Sequence, residues 1–258
     1  PHLLEFLGRL HSADETRAAL RTVDRVGFEN FSMDLIYAVP GQSRADLQAD
    51  LTEALNFYPP HLSAYNLTIE EGTAFHHRFK AGKIRPLPED EEIAMAELIE
   101  ETLSRAGLER YEISNYAKPE YRSRHNTTYW QDGDYLGIGA GAHSYLSSEE
   151  NGVFGLRWRD EKSPARYMER VEGEGTAVAE NESLTGAKAA AEFMFMGLRM
   201  TEGVSVVSFF HRFGQKPADV YPEIGEWLEE GIMEQQNGRL RLTRRGLMMA
   251  DEIFVAFV

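Results

Sequence analysis

Two apolar runs, FSMDLIYAV at 31–39 and HLSAYNLTI at 61–69, flank a segment of helical periodicity, and this strand–helix–strand order constrains the fold more than any other feature. The intervening RADLQADLTEALNFY sets Leu47, Leu51, Ala54 and Leu55 on one face at i, i+4, i+7 and i+8. Ser43 can cap that helix, and Pro40, Gly41, Pro59 and Pro60 break the chain around it. An earlier helix is expected over Ser12 to Val26, with Ser12 and Glu15 in capping-box spacing and Gly27 as its stop. A turn at EEGT and a long, acidic-started helix from about Glu89 to Ala106 follow. Such alternation implies parallel strands joined by right-handed crossovers, as in an α/β barrel or a doubly wound sheet. Two parallel strands cannot close a barrel. The expectation is therefore that further strands come from another chain, or that these residues are the tail of a longer fold, since amphipathic structure begins almost at Pro1.

After Gly107 the pattern becomes irregular through ERYEISNYA, the basic YRSR, HNTTYW and the glycine-rich YLGIGAGAHSY. From about Ser183 it turns helical, and GRLRLTRRGLMMADEIF reads as a short strand pair followed by a helix, giving a small domain of winged-helix-like order. The expected division is 1–146, a connecting region at 147–182 rich in Glu, Gly, Asn and Ser, and 183–258.

Composition narrows the function. Forty-two acidic against 27 basic residues give a formal charge of −15, a field that repels nucleic-acid phosphates, so no nucleic-acid partner is expected. There is no cysteine, which excludes disulfides, thiolate zinc sites and cysteine-held iron–sulfur clusters within these residues. No apolar run approaches the roughly 20 residues of a membrane span, and no signal-peptide layout opens the chain. A cytoplasmic protein without stable membrane insertion is expected.

Several residues are candidates for chemistry. Asp34 is a charge in an apolar strand, near the end that faces ligands in parallel α/β folds, although an outward-facing acid explains it equally. HNTTYW, residues 125–130, offers a metal-ligating imidazole, an amide, and two rings suited to a flat apolar ligand such as haem; the same residues also read as a structural aromatic cluster. GIGAGAHS lacks the context of a dinucleotide fingerprint, so glycines 137, 139 and 141 are expected to admit close backbone approach to a ligand or strand, with His143 beside them. His76, His77 and His211 show no metal-ligand spacing, and no serine sits in a nucleophile elbow.

Taken in order, FLGRLHSADE, DLIYAVPGQS, HLSAYNLTIEEGT, YEISNYA, HNTTYW, YLGIGAGAHSY, EFMFMGLRM and RLRLTRRGLMMADEIF resemble the radical-SAM haem-chaperone family HemW, long grouped with the oxygen-independent coproporphyrinogen III oxidase-like proteins. The resemblance runs through essentially the whole chain. It implies an α/β fold, the C-terminal part of a partial (β/α) radical-SAM barrel with a β extension over 1–146, followed by a small helical, winged-helix-like domain of HemN type. Its HNxxYW motif implies haem contacts from His125, Asn126, Tyr129 and Trp130, with His125 a possible iron ligand. With less force, motif alignment places Arg9, Asp34, Thr68 and His143 near S-adenosylmethionine. The family's CxxxCxxC-type motif for a [4Fe–4S] cluster has no counterpart here, so these residues are expected to be the later two-thirds of a longer protein and not catalytic alone. The implied function is haem binding and delivery to acceptor proteins, with cluster and S-adenosylmethionine in the intact protein. Oxidative decarboxylation of coproporphyrinogen III to protoporphyrinogen IX is the alternative, and an inert fragment the third.

Overall fold

The computed structural model describes residues 1–150 and 152–257, which separate into two units, Pro1–Arg122 and Ser123–Val258. In the first, a short helix α1 (His2–Phe6) precedes α2 (Ala13–Val26). Ser12 Oγ accepts the Glu15 N–H at 3.2 Å, the Glu15 carboxylate accepts the Ser12 N–H at 2.8 Å, and Gly27 ends the helix at φ 84°. Strand β1 (Ser32–Tyr37), helix α3 (Arg44–Leu55) and strand β2 (His61–Asn66) form the expected strand–helix–strand unit. The strands run parallel, from Ser32 opposite His61 to Tyr37 opposite Asn66. A helix the sequence reading did not anticipate, α4 (Ala74–Lys80), is capped by Thr73. Helix α5 (Glu89–Arg105) then opens with four acids in its first turn, which complements the positive end of its dipole.

The stretch ERYEISNYA is ordered: β3 (Glu109–Glu112) and β4 (Asn115–Ala117) form a hairpin, and β4 also pairs antiparallel with β2. The sheet order is β1-β2-β4-β3, and β1 is paired on one edge only among the described residues, so the sheet is open. The turn uses no Asn-Gly or Asp-Gly signal. Instead the Glu112 carboxylate accepts the Ser114 N–H at 3.1 Å and the Asn115 amide, a local device that turn statistics do not register.

Leu47, Leu51 and Ala54 of α3, Leu62 and Ala64 of β2, and Met95, Ile99 and Leu103 of α5 make the core that backs the parallel strands. Leu51 is fully buried. Leu51→Ala is expected to cost about 2–5 kcal/mol, read as a lower urea midpoint at unchanged slope.

The second unit starts with α6 (Arg124–Trp130), followed by β5 (His143–Glu150), β6 (Val153–Asp160), α7 (Pro164–Glu174) and β7 (Val178–Thr185). The three strands form an antiparallel sheet in the order β5-β6-β7. Residues 147–182, expected to be a connection, thus supply most of a sheet and a helix; residues 151 and 258 of the expected ranges lie outside the described residues. The alternation was hidden because charges pair across the strands, Arg157 with Glu182 and Arg159 with Glu180, so β7 reads as polar. The division between units falls at 122/123, ahead of HNTTYW and not after the glycine-rich stretch.

Helix α8 (Gly186–Gly197), strand β8 (Val204–Ser205), helices α9 (Val206–Phe213), α10 (Pro217–Val220) and α11 (Glu223–Glu229), strands β9 (Met233–Gln236) and β10 (Arg239–Leu242), and helices α12 (Arg244–Met248) and α13 (Ala250–Val255) complete it. The small antiparallel sheet β8-β10-β9 amid these helices is the winged-helix-like order expected. No helix among the described residues is long and apolar enough to cross a membrane.

Candidate functional site

HNTTYW is one and a half turns of helix. Ser123 Oγ accepts the Asn126 N–H at 3.2 Å as the cap of α6, and the Thr127 and Thr128 hydroxyls donate to carbonyls of the preceding turn. Helical spacing then puts His125 and Tyr129 on one face, with ring centroids 4.8 Å apart and nearly perpendicular at 84°. Tyr129 meets Tyr135 edge-on at 4.5 Å, and Tyr135 lies 6.1 Å from Tyr145. The result is a ladder of four rings running from exposed His125 to buried Tyr145. Such edge-to-face pairs fix ring orientation as well as burying area.

The inner end of the ladder is polar and closed. Arg212 of α9 pairs with Asp132, donates to Tyr145 Oη at 3.3 Å and donates to the Phe154 carbonyl at 2.7 Å. Burial, reinforced by Asp132, pushes the Tyr145 phenol up to about 12, and burial raises Tyr135 as well. Both rings therefore stay protonated and uncharged near neutral pH. The glycine-rich segment holds Tyr135 against β5: Tyr135 and Tyr145 exchange backbone hydrogen bonds of 2.9 Å, and a Cβ on Gly137 would lie 2.2 Å from the His143 carbonyl oxygen. This is the close strand approach expected of Gly137.

The remaining motif residues divide. Asn126 is half-buried and its carboxamide has no hydrogen-bond partner among the described residues. Trp130 turns away from the ladder toward Arg199, whose guanidinium carbon sits 4.4 Å from the indole centroid. His143 is exposed at the start of β5, opposite Arg159.

A second candidate lies in the first unit. A cavity of about 460 Å³ is walled by α1, α2, β1 and α3, with Leu3, Leu7, Leu20 and Val39 among its apolar residues and Arg9 and Asp34 among its charged ones. Asp50 also lines it, its carboxyl pushed above the usual range chiefly by burial. Of the four residues aligned with S-adenosylmethionine, the structure brings Arg9 and Asp34 to one cavity. Thr68 is exposed beyond the end of β2 and does not line it, and His143 belongs to the other unit. No group of three or more His, Asp or Glu with metal-holding geometry occurs among the described residues. Asp132, Tyr135, Tyr145, Arg199 and Arg212 were not singled out by sequence reasoning; only the nearness of Asp132 and Tyr135 to the motif could have flagged any of them.

The HemN C-terminal domain family matches residues 184–249. Across nearly the whole chain, the heme chaperone HemW of Bacillus subtilis is 32% identical over 257 residues, covering 99% of this chain and 66% of that protein. HemW of Escherichia coli is 30% identical over 258 residues, covering 99% of this chain and 65% of its own length. The chain belongs to the HemW family. It spans about two thirds of the length of these HemW relatives. The coproporphyrinogen III oxidase HemN of Escherichia coli, described as a radical SAM enzyme, superposes with a TM-score of 0.76 at 18% identity, over 99% of this chain and 61% of that one. This chain thus has the fold of the matching part of HemN.

Proposed function

We propose that this chain carries the haem-binding part of a haem-delivery chaperone of the HemW type. The observation that carries the reading is the ring ladder of α6. It presents an exposed imidazole, locked edge-on by Tyr129, as an axial ligand for iron, and sets uncharged aromatic rings behind it for the macrocycle. Asn126, whose carboxamide has no partner among the described residues, is the polar member of that pocket. Exposure of His125 suits cargo that must leave again for an acceptor protein in the cytoplasm. Haem in this reading is substrate, not a resident group.

The [4Fe–4S] cluster of radical-SAM relatives does not fit these residues, because they include no cysteine and, among those described, no alternative ligand cluster. S-adenosylmethionine fits better. The Arg9 guanidinium would pair its carboxylate and Asp34 would take a ribose hydroxyl or the amine, against the apolar wall of the same cavity. When bound, it supplies a sulfonium-activated adenosyl group. Thr68 lies outside that cavity and His143 in the other unit, so the fit rests on Arg9 and Asp34.

Oxidative decarboxylation of coproporphyrinogen III is the competing reading, and the HemN-like fold favours it as far as fold can. Haemin titration decides between them for these residues. The chain should show a saturable Soret shift, and His125→Ala should weaken it at least about tenfold, the scale of one lost axial bond. Identical, unsaturable titrations of parent and variant would remove the haem reading.

A further inference from the structure

Ser32 and His61 are the first residues of β1 and β2, and neither belongs to the haem or the S-adenosylmethionine reading. Register sets them directly opposite each other, and Ser32 Oγ lies 2.7 Å from His61 Nδ1. The other ring nitrogen, Nε2, lies 2.8 Å from Tyr111 Oη. His61 is 5% exposed and Tyr111 1%, with the Arg122 guanidinium 5.6 Å from the phenol centroid, whereas Ser32 is open to solvent. The imidazole is thus held from behind, and its hydroxyl partner is reachable from outside. The tautomer that donates Nε2–H to Tyr111 leaves Nδ1 to accept the serine proton. A hydroxyl bonded to a base that a third group orients is the arrangement that activates a serine nucleophile. Burial holds His61 below its ordinary range, with Asp34 opposing, so the ring is neutral and able to take a proton near neutral pH.

Two further features meet at this end of the strands. Because β1 is paired on one edge only among the described residues, every second amide of the strand points away from β2. Either Ser32 or Met33 therefore aims an N–H outward beside the hydroxyl, the kind of donor that a developing oxyanion needs. The loops that lead into the two strands hold out Phe28, 60% exposed, and Tyr58, 79% exposed. Tyr58 sits at φ 51°, a region that bulky residues seldom occupy, so its ring is presented at a conformational cost.

We infer that Ser32, His61 and Tyr111 form an acyl-transfer site for small activated esters, with Ser32 as nucleophile, His61 as general base and Tyr111 as positioning residue. Ser32 Oγ bonds to the ester carbonyl carbon, and its proton passes to His61 Nδ1. The bond from that carbon to the alcohol oxygen breaks, and the alcohol leaves with the proton. Water, deprotonated by the same imidazole, then releases the acid and restores the serine. The inference is independent of haem and of S-adenosylmethionine.

The test treats the full 258-residue chain with a fluorophosphonate, whose phosphorus bonds to an activated serine oxygen as fluoride leaves, and maps the adduct by mass spectrometry. The adduct should fall on Ser32 and vanish in Ser32→Ala, an exposed change that leaves the core untouched. His61→Gln should slow labelling at least about hundredfold, the lower scale of general-base catalysis. If His61→Gln does not fold, Tyr111→Phe, which keeps the ring and removes the hydroxyl, carries the comparison. It should slow labelling about tenfold, the scale of one lost hydrogen bond, and move the acid limb of the pH profile to lower pH. That limb is the protonation of His61, beside Asp34 and Tyr111: reactivity is present while the imidazole is neutral and is lost as pH falls through its titration. p-Nitrophenyl acetate should be cleaved by the parent and not by Ser32→Ala. Adducts spread over other serines, no adduct on Ser32, or an unchanged labelling rate in both His61→Gln and Tyr111→Phe would overturn the inference and leave a structural hydrogen-bond chain.

Discussion

Arg212→Met should destabilise the protein by about 3–5 kcal/mol, the cost of stranding one member of a partly buried ion pair. The side chains of Arg212 and Asp132 are only 14% and 16% exposed, so solvent does little to screen the loss. The variant leaves three groups short of a donor at once: the Asp132 carboxylate, Tyr145 Oη and the Phe154 carbonyl. Asp132 sits at φ 55°, a conformation that Asp tolerates better than most residues, so Asp132→Asn is the milder partner variant. Urea unfolding of both single variants and the double gives the coupling directly. A loss below about 0.5 kcal/mol for Arg212→Met would show that the pair behaves like an ordinary surface contact. The cluster holds the inner end of the ring ladder, so the same variant should also blur the haemin titration.

Gly137→Ala is expected to act through the backbone. The added methyl would meet the His143 carbonyl oxygen at 2.2 Å and the Ala142 Cβ at 2.9 Å, neither of which is the free end of a flexible side chain. Segment 135–137 would have to part from β5, losing the 2.9 Å hydrogen bond from the Gly137 N–H to buried Ser144 Oγ and loosening Tyr135 from Tyr145. About 3 kcal/mol of stability should go, in the upper range for overpacking. Gly173→Ala is the matched control, because its methyl meets no atom inside α7 and should instead stabilise by about 0.5–1 kcal/mol. Two glycine variants with opposite signs would tie the effect to close approach; equal melting curves would refute it.

What the sequence disclosed follows from range. The capping box of α2, the Ser43 cap of α3, the αL glycine after α2 and the i, i+4, i+7 stripe of α3 are signals within eight residues, and each is found where the residues placed it. The parallel pairing of β1 with β2 follows from the helix between them. The hairpin at 109–117 and the sheet across 147–182 escaped notice because a carboxylate replaces the turn signal in one and paired charges replace the apolar alternation in the other. The HNTTYW segment shows the same limit inside the candidate site. Its two threonines disguise a helix, since β-branched residues weaken helical propensity until their hydroxyls bond to the preceding turn. Once the helix is known, His125 meeting Tyr129 is a matter of spacing. Arg212 and Arg199 lie 80 and 69 residues beyond Asp132 and Trp130, and only the packed fold introduces them.

The division at Arg122 also separates the two proposed ligand sites. Every side chain proposed to contact haem comes from after it, and every residue walling the 460 Å³ cavity comes from Pro1 to Phe57. The proposed haem site on α6 and the proposed S-adenosylmethionine site therefore share no residue, so a substitution in α6 leaves the walls of the cavity as they are.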